Sequence, residues 1–475
     1  MTHVRRASSL TLAACLLCVA SLSFSSSAQA APADAPAAGQ PGTDKAAEPS
    51  ASARDLFLRY KERLLQVRVL LASASEQSAL GSGFVVRSEG AQGALVLTNY
   101  HVVSSLAVEP QKYRIELRGA NEHKVAAKLV AVDVVHDLAV LRTEPAVDAP
   151  AWTAFALRDQ PLVQGSKVYA LGNPLELGFL IAEGIYNGLV ESRIYEQMLF
   201  SGALNPGMSG GPAIDEAGRV VGVNVATRRD GAMLSFLVPV RYARELLARA
   251  GQAQPRSEWR SEIAQQLRGH QEFVVDKLLG NGQHGGAAAA AAPATASGDA
   301  APAQAGFASQ QLAGRTVPTL DGSLTKCWAN GLSGEKLRYH RDSLDCSLRS
   351  DLFVGRGLYT GSLSLQHVVL RNDKLPTVKF LNLASGVRSL GTSGSGGDEI
   401  SRSECRDNHV QGAQHIYRVG ICVRAYRKYE GLYDYNVQAT QIDDAQERLS
   451  SSLHMRGFSF ENAQQLATLF LERLQ

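Results

Sequence analysis

A mainly β fold with a second domain behind it is what this 475-residue sequence predicts. Three observations carry that expectation. Apolar runs in the first half are short and punctuated by Gly, Asn, Asp and Pro; no amphipathic helix separates them until residue 239; and an abrupt low-complexity stretch then divides the chain. Length alone predicts two or three domains at about 150 residues each. With 45% hydrophobic and 20% charged residues the chain is neither wholly disordered, nor collagen-like, nor a small disulfide scaffold. A formal charge of +3 argues against a broad basic field for gripping nucleic acid.

At the N-terminus, Arg5 and Arg6 precede an apolar stretch from Leu10 to Phe24, and Ala28-Gln29-Ala30 offers small residues for a signal peptidase, so residues 1–30 read as a secretory signal. Removing it lowers the formal charge to about +1. Leu12-Ala13-Ala14-Cys15 is a competing lipoprotein box that would anchor the chain through Cys15. It ranks lower because the apolar run continues past that cysteine to Phe24. No other stretch approaches the about 18 apolar residues of a membrane span, so export to a periplasmic or extracellular space is expected without a transmembrane segment. Residues 31–52 are an Ala/Pro/Gly-rich leader, and a short helix is expected over residues 53–65.

Strands are expected at residues 67–71, 83–86, 94–98, 113–117, 138–141, 167–171, 220–225 and 234–238, all within a domain spanning 53–250. Pro239 opens a helix that stops at Gly251, and residues 251–280 hold further helix with Gly269 as a candidate break. Residues 281–306 are an Ala/Gly/Pro-rich linker, which predicts a separable module on its C-terminal side. That module, residues 315–475, is expected to be a mixed α+β domain closed by an amphipathic helix.

Cys15 and Cys18 leave with the signal, and Cys327, Cys346, Cys405 and Cys422 remain. In an oxidising compartment they read as two disulfides; 327–346 and 405–422 are the nearest pairs, although four cysteines allow three connectivities. No Cys-x-x-Cys spacing supports a metal site, and no motif calls for a cofactor. Tyr426, Tyr429, Tyr433 and Tyr435 lie near Arg424, Arg427 and Lys428. They suit either a domain core or a binding surface, the core being the simpler reading.

Chemistry concentrates in Asn205-Pro206-Gly207-Met208-Ser209-Gly210-Gly211-Pro212. A serine becomes a nucleophile when a base takes its proton, and the flanking glycines let the chain turn tightly and leave backbone N–H groups beside it. Alone, this string is also what a Gly-rich hairpin looks like. Two further pieces accompany it: His101 at the end of an apolar strand, and Asp137 at the mouth of the Leu138–Leu141 strand.

Together with Gly81-Ser82-Gly83-Phe84-Val85-Val86, Leu97-Thr98-Asn99-Tyr100-His101-Val102-Val103, Gly172-Asn173-Pro174 and Gly184-Ile185-Tyr186-Asn187-Gly188, these segments resemble the trypsin-like serine proteases of the HtrA (high-temperature-requirement) family, over about residues 66–245. The resemblance implies two six-stranded β-barrels of the chymotrypsin type and a serine endopeptidase acting on protein or peptide substrates. It makes His101 the general base, Asp137 its orienting carboxylate and Ser209 the nucleophile, with an oxyanion hole at Gly207, Met208 and Ser209. Asp133 and His136 are near neighbours that compete for the third place. The resemblance also sets a specificity pocket at Gly202, Ala203 and Leu204; without a carboxylate there, cleavage after small or medium apolar residues is expected. Met208 departs from the family's usual Asn and excludes activation by an aspartate pairing with a new α-amino group. The family's PDZ domain is not recognisable. The alternative function is a catalytically inactive binding protein on a protease scaffold. Oligomeric state, substrate and trigger are not readable.

Overall fold

The computed structural model describes residues 51–474 except 75, 91–92, 146–152, 175–176, 192, 228–233, 253–257, 280–306, 321, 323, 335, 349–350, 386–399 and 413. The expected signal, the leader up to residue 50 and the linker lie outside the described residues, whereas residues 51–52, expected in the leader, open the first helix. Helix α1 (Ala51–Tyr60) leads through a 3-10 turn into β1 (Leu64–Leu71), β2 (Gln77–Ser88), β3 (Ala94–Thr98), α2 (Tyr100–Val108), β4 (Tyr113–Gly119), β5 (Lys124–Asp133) and β6 (Leu138–Thr143). The six strands close into a barrel in the order β1-β2-β3-β6-β5-β4. A second barrel, β10-β11-β12-β9-β8-β7, is built from β7 (Lys167–Gly172), β8 (Leu180–Leu189), β9 (Met198–Phe200), β10 (Pro212–Ile214), β11 (Val220–Thr227) and β12 (Ser235–Pro239). The expected pair of six-stranded barrels is therefore present.

Period-two geometry explains how they pack. In β3, Ala94 and Val96 join one cluster with Val67, Ile115 and Leu129, while Leu95 and Leu97 join another with Tyr169, Leu171 and Val223 of the second barrel. Both faces are covered, which is why β3 reads as an apolar run from Ala94 to Leu97, closed by the buried Thr98. The barrel strands not expected from the sequence are β5, despite its Lys-Val-Ala-Ala-Lys-Leu-Val-Ala-Val alternation, and β8, β9 and β10. β8 carries Gly184 and Gly188 and is mostly half-exposed, and β9 and β10 are three residues each. α2 was also unsignalled: His101 belongs to the first turn of this helix rather than to a strand end.

Helix α3 (Val240–Gln252) covers the barrels, and α4 (Arg260–Leu279) follows. Gly269 does not break α4; it lies on the exposed face, where a lone glycine costs about 1 kcal/mol and packing of the other face outweighs it. The N-terminal half of α4 (Ile263, Ala264, Leu267) packs in the first barrel's cluster, and the C-terminal half (Val274, Val275, Leu278, Leu279) packs in another.

That other cluster belongs to the C-terminal region. β13 (Ala308–Leu312) pairs with β14 (Arg315–Thr319). A seven-stranded antiparallel sheet then runs β15 (Thr325–Leu332), β16 (Tyr339–Leu348), β19 (Leu363–Asn372), β23 (Glu447–Phe458), β22 (Tyr433–Gln441), β21 (Ile416–Ala425), β20 (Glu404–Gln411). The excursion between β16 and β19 forms a small hairpin, β17 (Leu352–Gly355) and β18 (Leu358–Thr360). Helices α5 (Thr377–Ser385) and α6 (Phe460–Glu472) complete it, Ser459 capping α6 by accepting from the Asn462 N–H. Cys327–Cys346 and Cys405–Cys422 are disulfides between directly opposed strand positions.

This region does not stand apart as its linker composition suggests. Leu352, Val354 and Leu358, with Tyr426, Tyr429 and Leu432, are buried in the same cluster as the first barrel's Val67 and Val96. The tyrosine group is therefore mostly packing: Tyr426 and Tyr429 lie in that shared cluster, Tyr435 in the sheet's own core. Among the described residues, no helix is long and apolar enough to cross a membrane.

Candidate active site

Asn99 precedes α2 in extended conformation, and its side-chain amide donates to the Asp137 carbonyl (2.8 Å) instead of capping the helix. Asp137 itself is left-handed (φ 56°), a conformation that short polar Asp tolerates better than most residues. That turn aims its carboxylate at the start of α2. Oδ1 accepts from the His101 N–H (2.8 Å), and Oδ2 meets His101 Nδ1 at 2.6 Å. The Tyr100 N–H adds a bond to the Asp137 carbonyl at 3.2 Å. His101 is thus held through ring and backbone together. Burial opposes its charge, but the carboxylate beside it outweighs this and raises its pKa above the ordinary imidazole value.

Asp133 takes a different partner. Its carboxylate accepts from the His136 N–H (3.0 Å), meets His136 Nδ1 (3.0 Å) and is reached by Arg249 (3.2 Å). Burial alone would raise its pKa, but His136 and Arg249 bring it to about 2. His136 is stacked on Tyr242 with ring centroids 3.7 Å apart. The carboxylate facing His101 is Asp137, and the Asp133–His136 pair braces the turn before it.

Ser209 comes from the second barrel. Asn205-Pro206-Gly207-Met208 is a turn closed by Met208 N–H to Asn205 O (3.0 Å), with Pro at its second position and Gly207 at φ 97°, the requirements of a type II turn. Met208 is fully buried, and its N–H is committed to the turn. Among the described residues, no acceptor meets the N–H of Gly207 or Ser209. The loop is pinned from the first barrel by Ser82: its Oγ donates to the Gly207 carbonyl (2.7 Å) and accepts from the Asn173 N–H (2.9 Å), while its N–H donates to Ser209 O (2.8 Å). Gly210 (φ 86°) lies so close that an added Cβ would be 2.3 Å from Ser82 O. The Ser209 hydroxyl donates to the Val225 carbonyl at 2.8 Å rather than to His101.

Of the expected pocket residues, Gly202 lies against the Phe200 ring, Ala203 is exposed and Leu204 is buried; Ser235 Oγ donates to Gly202 O at 2.7 Å. Ser82 was missed as a site residue although its motif was noticed, because a buried hydroxyl's partners are not readable from a string. Phe353 was missed for a different reason: it comes from the C-terminal region, and its ring stands edge-on to His101 with centroids 6.3 Å apart.

Residues 81–223 match the trypsin-like peptidase domain. With the paired six-stranded barrels, this makes the first part of the chain a trypsin-like peptidase domain. Similar proteins include "Probable periplasmic serine endoprotease DegP-like" of Pseudomonas fluorescens, 32% identical over 179 residues (36% of this chain, 35% of that protein). "Serine protease HTR4" of Rattus norvegicus is 32% identical over 182 residues (36% and 34%). "Protease Do-like 1, chloroplastic" of Arabidopsis thaliana is 34% identical over 177 residues (34% and 36%). The similarity is confined to the barrel region, and the chain spans only about a third of the length of these relatives.

Proposed function

We propose that the chain is an exported serine endopeptidase. The observation that carries this is the two-point grip of Asp137 on His101, beside a Ser209 whose loop presents two N–H groups without an acceptor among the described residues. In this reading His101 Nε2 accepts the proton from Ser209 Oγ as Oγ bonds to a peptide carbonyl carbon, and the N–H groups of Gly207 and Ser209 hold the developing oxyanion. Collapse of that intermediate expels the amine, which takes the proton from His101. Water then repeats the sequence and frees the acid. The Met208 N–H takes no part, being engaged with Asn205 O. For reaction, Ser209 Oγ leaves Val225 O and turns to His101, a tightening common when substrate enters an apo site. Export rests on the basic-apolar-small N-terminal pattern and on two disulfides, which suit an oxidising compartment. A pocket at Gly202, Ala203 and Leu204 with no carboxylate favours small or medium apolar residues on the acyl side of the cleaved bond.

A second reading, an inactive binder, is favoured by one observation: the Ser209 hydroxyl is bonded to Val225 O. A fluorophosphonate probe separates the two. Labelling of the wild type that is lost in Ser209→Ala and His101→Ala supports the peptidase; a folded wild type that stays unlabelled refutes it.

A further inference from the structure

We propose that the C-terminal region contributes part of the substrate cleft, with Phe353 and Tyr359 forming an aromatic wall that selects a bulky apolar side chain lying over the His101 ring. This rests on the peptidase reading and goes beyond it, because a family match to residues 81–223 assigns no role to residue 353.

The hairpin β17–β18 is docked on the helix that carries His101. The Tyr100 hydroxyl, one residue from His101, donates to Val354 O at 2.6 Å, and Leu352, Val354 and Leu358 are buried against the first barrel. Strand alternation turns Phe353, between Leu352 and Val354, and Tyr359, after Leu358, toward the other side of the hairpin, where Phe353 is half-buried at the edge of the first barrel's cluster with its ring 6.5 Å from that of Tyr100. Phe353 and Tyr359 are directly opposed across the two strands, with ring centroids 5.4 Å apart, and Phe353 is edge-on to His101. The three rings make a continuous ledge beginning at the imidazole. Docking uses the buried face, whereas Tyr359 is 51% exposed. The backbone of a bound peptide must pass His101 to reach Ser209, so a side chain flanking the cleaved bond is the occupant that geometry supplies. The wall itself is two aromatic rings, so the ledge favours aromatic and branched aliphatic groups over acidic or basic ones.

Positional scanning tests it, with peptides varied one residue at a time on both sides of the cleaved bond and rates normalised to active sites titrated with fluorophosphonate. At one flanking position the wild type should prefer Phe or Leu to Ala. Phe353→Ala should lower that Phe-to-Ala selectivity ratio about tenfold, within the range that apolar pockets discriminate. Tyr359→Ala should lower it in the same direction. Because Tyr359 is half in solvent, that variant carries the test even where Phe353→Ala unfolds. Unaltered ratios in folded, labelled Tyr359→Ala, or a wild type with no apolar preference at any flanking position, overturn the wall. Absence of labelling in the wild type overturns the peptidase reading itself, a separate outcome.

Discussion

Ser82→Ala tests the way the two barrels build the nucleophile loop. The Ser82 side chain is fully buried and makes two hydrogen bonds, donating to Gly207 O and accepting from the Asn173 N–H. Removing the hydroxyl loses both, and leaves the Asn173 N–H without a partner in a buried position. The bond to Gly207 O is worth about 1 kcal/mol net and the orphaned Asn173 N–H costs about 1–3 kcal/mol, so the expected loss is about 2–4 kcal/mol. At about 2–4 °C per kcal/mol for a domain near this size, the barrel's melting midpoint should fall by several degrees. The catalytic consequence comes from the same atom. The peptide between Gly207 and Met208 is pinned at its oxygen by Ser82 and at its N–H by Asn205 O. Freed at one end, the loop no longer holds the Gly207 and Ser209 N–H groups in fixed directions. Loss of a whole oxyanion donor costs about 100- to 1,000-fold in kcat; partial misdirection should cost about 10- to 100-fold, with KM little changed. Thermal unfolding and steady-state peptide hydrolysis measure the two effects. A Ser82→Ala protein that melts with the wild type and retains its kcat would refute this account of the loop.

Three other outcomes are expected. Because Asp137 raises the His101 pKa, and the base must be neutral to act, kcat/KM should rise with pH through an acid limb above about 6.5; Asp137→Asn should move that limb down and cut kcat by about 10,000-fold, as a pH–rate series would read. Asp133, depressed from its usual value to about 2, contributes stability that is fully present above about pH 4 and lost as pH falls through about 2; Asp133→Asn should cost about 2 kcal/mol at neutral pH and flatten the acid dependence of the melting midpoint. Reduction of both disulfides should destabilise the seven-stranded sheet by about 3 kcal/mol per crosslink, with β20, exposed along its whole length, released first; limited proteolysis should cut there while fluorophosphonate labelling persists, since neither bridge lies in the barrels.

How much was legible in the sequence depended on whether a residue's role is set by its neighbours along the chain. β3 was legible to the residue because both faces are buried and four apolar residues run unbroken up to Thr98; β8 was not, because Gly184 and Gly188 serve a close approach to Phe200 and a left-handed backbone conformation that no periodicity announces. Motif strings marked His101, Asp137 and Ser209, which lie in the first turn of α2, on the turn before β6 and in the loop before β10. They pointed to Asp137 over Asp133 by its place just before the Leu138–Leu141 strand, but not to what keeps the two apart in space, which is the left-handed turn at Asp137 and the engagement of Asp133 with His136. Nor does a string reveal that the Met208 N–H is consumed in a turn.

Composition misled most at the linker. An Ala/Gly/Pro stretch says that the chain between two regions has no fold of its own; it says nothing of whether the regions touch. Here α4 joins them by side chains that sequence reading assigns only to an amphipathic helix. Gln266 donates to Val132 O at 2.9 Å and accepts from the Val134 N–H at 2.8 Å, on the turn that ends in Asp137. One turn further, the buried His270 meets Gly361 O at 2.9 Å and the Tyr195 hydroxyl at 2.7 Å, and Gln271 accepts from Asn462 at 2.8 Å. The segment that orients the candidate base and the hairpin beside that base are therefore anchored to the same helix. A change that loosens α4 should disturb the carboxylate turn and the aromatic wall together, which a tethered, separable module would not do.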